Sequence, residues 1–128
     1  LRLAAEYDNF RKRTQRERES LYQDAKADTV GKFLPVFDNL QRALVQPTAD
    51  EAYKKGVEMT MTGLLTIMES LGVTSFGEVG EPFDPNFHNA VMHRDDENFG
   101  ESILCEVFQT GFKVGEKVIR HAMVVVAN

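Results

Sequence analysis

The first third of the chain, residues 1–45, has the pattern of a single helix that is too long for one subunit to cover. It contains one glycine, Gly31, and one proline, Pro35, and is otherwise rich in the strong helix formers Leu, Ala, Glu, Arg, Lys and Gln. At 1.5 Å per residue, a helix of this length spans roughly 65–70 Å, more than twice the diameter of a small domain. The rest of the 128-residue chain is too short to cover such a rod. We therefore expect a second copy of the same helix beside it, in a homodimer.

The apolar stripe along residues 1–28 is thin. Half of the positions at alternating spacings of four and three residues are polar, in the series Leu3, Tyr7, Phe10, Thr14, Glu17, Leu21, Asp24 and Asp28. So polar a seam predicts a two-stranded pairing of low stability. A solvent-exposed helix is the alternative, but an unpacked helix is marginal in water, which favours pairing.

A second helix is expected after Gln46 and Pro47. The first helix gains a wide apolar face from Val30 to Leu44, with a local bend at Pro35. Thr48 with Glu51 three residues later predicts a capping box that begins the second helix, which runs to about Leu71 with Gly72 as its C-cap. The short connection makes an antiparallel hairpin, and two hairpins closing on each other give a four-helix bundle.

After Gly72 the apolar period changes from 3.6 to 2. Short strands are predicted at 73–76, 90–93, 102–109, 112–114 and 118–126, with a tight hairpin turn over 114–117. The predicted fold class is therefore α+β: residues 1–71 form the helical, dimerising part, and residues 72–128 form a small all-β domain.

The charge distribution limits the classes of partner that the chain is expected to bind. Residues 1–20 hold six basic and four acidic side chains within a chain of net charge −5. Glu17 and Glu19 interleave with the basic cluster of Arg11, Lys12, Arg13, Arg16 and Arg18, so we expect a solvated face or an acidic protein partner rather than nucleic acid. No apolar run is long enough to span a bilayer, so no membrane contact is expected. The sequence starts in the middle of its pattern, at Leu1, so we expect a segment to precede it.

Motifs for catalysis are absent from the sequence. His88, His93, Asp95 and Asp96 offer a conceivable metal cluster, but their spacing matches no standard set and a structural or surface role is favoured. The single cysteine, Cys105, lies in an apolar run and is expected to be a buried small hydrophobe. No nucleophile elbow, phosphate loop or dinucleotide fingerprint is present. We therefore expect no enzyme activity, no cofactor and no metal.

Five stretches carry specific motifs. Two lie in the β segment, Phe83–Val91 and Gly111–Val126, and three lie in the helices, Tyr7–Thr14, Leu34–Leu44 and Gly56–Thr60. Together these stretches resemble the GrpE family, the nucleotide exchange factors of DnaK-type heat-shock chaperones. The resemblance covers essentially the whole chain. It implies long paired helices, a four-helix bundle and a C-terminal β domain, in agreement with the periodicity.

What the resemblance implies as function is binding to the ATPase domain of a DnaK-type chaperone, which opens the nucleotide cleft so that ADP leaves. By position within the matching motifs it implies contacts at Arg11, Arg42, Pro85, Phe108, Lys117 and Val126, with Gly56 needed near the bundle for close packing or close approach of a partner. Where the family usually has Gly-Arg, this chain has Glu116-Lys117, which keeps the charge but not the bidentate fork. His121 replaces a frequent proline.

Two other functions remain open from the residues alone. A coiled-coil adaptor would bind a protein without changing any nucleotide equilibrium. A metal-dependent hydrolase that uses His88, His93 and Asp95 is the remoter alternative. The compartment expected from the resemblance is the bacterial cytoplasm, with an organelle matrix as the alternative.

Overall fold

The computed structural model describes residues 1–128 and has two helices followed by six strands. The elements, in chain order, are α1 (Arg2–Leu44), α2 (Glu51–Ser70), β1 (Val73–Phe76), β2 (His88–Arg94), β3 (Ile103–Gln109), β4 (Gly111–Val114), β5 (Lys117–Arg120) and β6 (Ala122–Ala127). The α+β fold class predicted from the change of apolar period is confirmed.

The long helix α1 is continuous over 43 residues, with Pro35 inside it. Its four buried residues, Ala27, Val30, Leu34 and Phe37, all lie in its second half. They recur at spacings of three and four residues and so form one face of the helix. The helix therefore has a bare N-terminal part and a C-terminal part that the rest of the chain covers.

The start of α2 differs from the predicted capping box. Asp50 is the N-cap, and its Oδ1 accepts a hydrogen bond from the backbone N–H of Tyr53 at 3.1 Å. Thr48 lies two residues before Asp50, and its hydroxyl oxygen accepts a hydrogen bond from the Asp50 N–H at 3.1 Å. Asp50 takes the cap because a carboxylate three residues before an unpaired N–H satisfies it directly. At the other end Gly72 has a φ of +78°, the left-handed conformation expected of a residue that ends a helix.

The strands form two three-stranded sheets. Sheet one has the order β1-β4-β5 and is antiparallel throughout. In sheet two the central strand β6 pairs in parallel with β2 and antiparallel with β3. Two hairpin arms therefore pass from one sheet to the other, because β3 leads directly into β4 and β5 leads directly into β6.

This change of sheet corrects the prediction of one strand over 118–126. The strand divides at His121 into β5 and β6, opposite a second break at Thr110 between β3 and β4. Gly111 lies at the bend, where an added Cβ would overlap the Phe76 ring and lie 2.8 Å from the backbone nitrogen of Ala122. The missing side chain allows the two arms to approach closely while they bend together.

Two apolar clusters fill the interior. The first joins α1 and α2 to sheet one, and its central contact is the edge-to-face pair of Phe37 and Phe112, with ring centroids 4.9 Å apart. The second lies under sheet two and contains Leu104, Ala122, Val124 and Val126. Cys105 is half-buried rather than buried as predicted, and its thiol donates to the carbonyl of Val125 at 3.4 Å.

Candidate functional site

A partly buried ion pair links the β domain to α1. The guanidinium of Arg120, in β5, donates two hydrogen bonds to the carboxylate of Asp38, from Nη1 at 2.8 Å and from Nη2 at 2.6 Å. Its Nε donates to the carbonyl of Thr110 at 2.8 Å, and the group lies 5.5 Å from the ring centroid of Phe112. A planar guanidinium with three directed hydrogen bonds has one orientation, so this contact fixes geometry as well as distance.

A weaker contact lies about two heptads earlier on α1. The ammonium of Lys117 pairs with the carboxylate of Asp24, and both side chains are about half exposed. Lys26 donates to the carbonyl of Leu71 at 3.0 Å, which ties the end of α2 to the same stretch of α1. Asp24, which the heptad pattern assigns to the seam, thus pairs with the chain's own β domain.

The two predicted arginine contacts lie far apart on α1. Arg11 is exposed and donates to Asp8 at 3.3 Å, and Arg42 is exposed and donates to Asn39. They are 31 residues apart in the helix, which corresponds to about 46 Å along its axis. A partner that touches both arginines must therefore lie along the rod rather than at one point.

Gly56 is exposed on α2, and a Cβ added there would have no atom of the chain within 4 Å. Close packing within the chain therefore does not explain this glycine. The sequence analysis offered close packing or close approach of a partner as reasons for Gly56. Close approach of another chain stays a prediction. Such an approach suits a helix-interior glycine, which costs roughly 1 kcal/mol against alanine.

Pro85 is exposed in a tight turn that the hydrogen bonds of Asp84 stabilise. The Asp84 side chain accepts from the Asn86 N–H at 2.9 Å, and its carbonyl accepts from the N–H of His88 at 2.8 Å. The turn borders a groove whose walls are the rings of Phe76, Phe83 and Phe87. Backbone and side-chain hydrogen bonds thus present Pro85 on a rigid rim.

His88 stabilises this turn. It is 5% exposed, its Nδ1 accepts from the Asp84 N–H at 3.0 Å, and its Nε2 lies 3.5 Å from a carboxylate oxygen of Glu81. One ring nitrogen of His88 thus accepts a hydrogen bond and the other lies near a carboxylate, whereas His93 is exposed at the other end of β2. The chain has no group of three or more His, Cys, Asp or Glu side chains placed to share a metal ion. This arrangement favours the structural role for His88.

The outer face of sheet two carries exposed apolar side chains. Phe108, a predicted contact, is 56% exposed in β3. Met92 in β2 is 54% exposed and Met123 in β6 is 37% exposed. Because Ala122, Val124 and Val126 enter the core from β6, Met123 points to the opposite face. We call Met92, Phe108 and Met123 the outer patch.

Sequence reasoning missed both methionines of the outer patch. Alternation along β6 places Met123 on the face opposite Val124 and Val126. All six residues of the strand are apolar, so no polar residue marks this face in the sequence. Beside the patch, Arg94 of β2 donates to Glu106 of β3 at 2.6 Å, above the intervening strand. The hydrogen bond to Glu106 raises the pKa of Arg94 above its ordinary value, so this residue stays cationic at every practical pH.

Val126 is the predicted contact that the structure places elsewhere. It is 5% exposed and belongs to the second apolar cluster, so its side chain supports the sheet from within rather than facing a partner. Val126 shares the inward face of β6 with Val124, and the strand is buried without interruption from Val124 to Ala127. Lys117, by contrast, is exposed, although its ammonium is already paired with Asp24.

The comparisons with known proteins agree with the fold. The GrpE family model matches residues 1–128. The chain is 51% identical to Protein GrpE of Clostridium beijerinckii over 128 residues, which are all of this chain and 61% of that protein. It is 48% identical to the Protein GrpE of Clostridium acetobutylicum and to that of Clostridium tetani, covering 64% of each. The chain thus spans somewhat under two thirds of the length of these relatives.

Neither helix combines the length and apolar character that a membrane-spanning segment requires.

Proposed function

Because this chain belongs to the GrpE family, we propose that it acts as a nucleotide exchange factor for a DnaK-type chaperone. The observation that carries the proposal is the family match over the entire chain at up to 51% identity to proteins named GrpE. The work is binding rather than bond-making, so the protein is not an enzyme and needs no cofactor or metal. The bacterial relatives favour the bacterial cytoplasm over an organelle matrix.

The proposed docking surface has two parts. The β domain offers the outer patch, Pro85 on its rigid turn and the cationic Lys117. The long helix offers the exposed guanidinium groups of Arg11 and Arg42. In this proposal Val126 supports the β-domain surface from the core, and the ATPase domain lies against the β domain and along the rod.

Exchange follows from differential affinity. The factor must bind the open nucleotide cleft more tightly than the closed one, because equal affinity for both states shifts no population. Linkage then requires nucleotide to weaken the factor's own binding by the same ratio, so that incoming ATP releases it. A rigid two-part surface suits this task, because it matches one relative placement of the chaperone lobes and not the other.

We propose that the working unit is a homodimer. Large apolar side chains stand exposed along the bare part of α1, namely Leu3, Tyr7, Phe10 and Leu21, and others, such as Phe33, Val36, Tyr53 and Ile67, stand exposed on the hairpin of α1 and α2. Large contiguous apolar patches are rare on the surface of soluble monomers and mark interaction sites where they occur. A second copy would cover the rod by helix pairing and the hairpin by a four-helix bundle, with Gly56 allowing close approach.

The test is the release of fluorescently labelled ADP from a DnaK-type chaperone, with and without this protein. Acceleration that saturates with concentration supports the proposal. Binding without acceleration would instead support an adaptor that leaves the nucleotide equilibrium unchanged, and an absence of both effects would contradict the proposal.

A matched pair of variants places the effect on the outer patch. Phe108→Ala removes an exposed aromatic ring from the proposed surface, whereas Val79→Ala shortens a side chain of equal exposure, 56%, in the loop after β1. We expect the first variant to weaken acceleration and the second to leave it unchanged. Equal behaviour of the two variants would remove Phe108 from the contact surface.

A further inference from the structure

We infer that the ion pair between Asp38 and Arg120 is an orienting joint, which sets the direction in which the β domain projects from the long helix. It differs from every other polar contact between these two parts of the chain in being bidentate and partly buried. The side chains of Arg120 and Asp38 are 18% and 29% exposed. The other ion pair across this boundary, between Lys117 and Asp24, is single-pronged and about half exposed.

The apolar contacts between the two parts do not define an angle as sharply. Phe37 and Ile119 pack across the boundary, and Gly31 lies against Ile119 with 3.4 Å between its ideal Cβ position and the isoleucine Cγ2. Apolar burial is non-directional and tolerates sliding along a helix. The guanidinium fork has no such tolerance, since each of its hydrogen bonds weakens steeply with misalignment.

The joint also connects with the bend between the two sheets. Besides its fork to Asp38, Arg120 donates through Nε to the carbonyl of Thr110, the residue at which β3 gives way to β4. The Arg120 side chain thus binds both α1 and the residue at which the chain passes from β3 to β4. A rotation of the β domain on α1 would have to break the fork or detach it from this bend.

The consequence for partner binding rests on the proposed function. Arg42 lies four residues after Asp38, about one helical turn away, while the outer patch lies on the β domain. A partner that touches both surfaces would bind tightly only when the two surfaces have the correct relative placement. Asp38 and Arg120 are therefore positioning residues, which need not touch the partner.

The test compares two identical chemical changes at the two ion pairs. Asp38→Asn removes the charge and one acceptor from the joint, and Asp24→Asn does the same at the exposed pair. Spin labels at Lys32→Cys and Glu101→Cys, both exposed positions, in a Cys105→Ala background report the distance between helix and β domain. Dilution with unlabelled protein suppresses distances between copies.

We expect a narrow distance distribution for the parent protein and for Asp24→Asn, and a broader, displaced one for Asp38→Asn. Arg120→Lys keeps the charge but loses the fork, so it should broaden the distribution in the same way. A distribution as narrow as the parent's in both joint variants would overturn the inference. So would loss of the folded β domain in both, seen by amide exchange, because the pair would then be structural rather than orienting.

A second readout separates this inference from the proposed function. If the chaperone binds the parent protein, the joint variants should bind it about tenfold more weakly, a change of roughly 1.4 kcal/mol, with Asp24→Asn unchanged. If the chaperone does not bind the parent protein, the proposed function fails while the distance measurement still decides the joint. Unchanged affinity in a variant with a broadened distribution would overturn the link between orientation and binding.

Discussion

The two halves of α1 form one continuous helix but differ in how much of their surface the rest of the chain covers. Residues 23–44 carry all four of its buried side chains and contact α2, β4 and β5. Residues 2–22 contain no buried residue, although Leu3, Tyr7, Phe10 and Leu21 recur along them at heptad spacings. A helix segment without tertiary packing is marginal in water. The chain itself therefore packs against one half of the helix only, and in the homodimer that we propose a second copy would stabilise the other half.

The largest difference in stability is expected when one phenylalanine in each half of α1 is replaced by alanine. Phe37→Ala removes a ring that is 5% exposed and packed on Phe112, so we expect a loss of about 3–5 kcal/mol in the free energy of unfolding. Phe10→Ala removes a ring that is 55% exposed, and should change the stability of the dilute single subunit by less than about 0.5 kcal/mol. Denaturant unfolding at low protein concentration measures both. Equal losses would remove the distinction between the halves.

The second-largest loss of stability is expected from a substitution at Gly111, which lies at the bend between the two sheets. Gly111→Ala places a Cβ against the Phe76 ring and the Ala122 nitrogen, so we expect destabilisation of about 1–3 kcal/mol from overpacking. Gly100→Ala is the matched control, because its added Cβ meets only Ile103 at an ordinary 3.6 Å. Thermal unfolding compares the two variants. A Gly111 variant as stable as the control would show that the bend tolerates a side chain.

A smaller effect separates the observed helix cap from the one that the sequence suggests. Asp50→Ala removes the acceptor for the Tyr53 N–H and should cost about 1 kcal/mol. Thr48→Ala should cost less, because its hydroxyl oxygen serves only the Asp50 N–H outside the helix. The reverse order in chemical denaturation would restore the capping box of Thr48 and Glu51.

The smallest effect is expected at the exposed ion pair near the boundary between the halves. Lys117→Gln should lower the stability by no more than about 1 kcal/mol, since both partners are about half exposed. The difference from the parent should fade near 1 M salt, where the screening length is about 3 Å. A loss that is large and insensitive to salt would mean that Lys117 holds the β domain in place as strongly as Arg120 does.

Local periodicity was enough to predict the helices and most of the strands. The helix former content of residues 1–45 and the alternation after Gly72 correspond to α1 and to the β segment. The break at His121 was not predictable in this way, because it depends on Gly111 meeting Phe76 and Ala122 from other strands. Heptad spacing equally could not show that Asp24 serves the β domain, since the pattern does not say which neighbour a face meets.

The candidate site was predicted unevenly for a related reason. Exposure decides whether a residue can contact a partner, and motif position does not report exposure. Phe108 and Val126 lie on neighbouring strands, yet one is exposed and the other is in the core. Met123 lies on the opposite face of β6 from Val126, and the all-apolar sequence of that strand does not distinguish the two faces.

The most direct test of the two-part helix is amide hydrogen exchange along α1 as a function of protein concentration. We predict strong protection of residues 23–44 at every concentration, and protection of residues 2–22 that rises as copies associate and falls on dilution. Uniform protection of the whole helix that does not change on dilution to the single subunit would contradict the account.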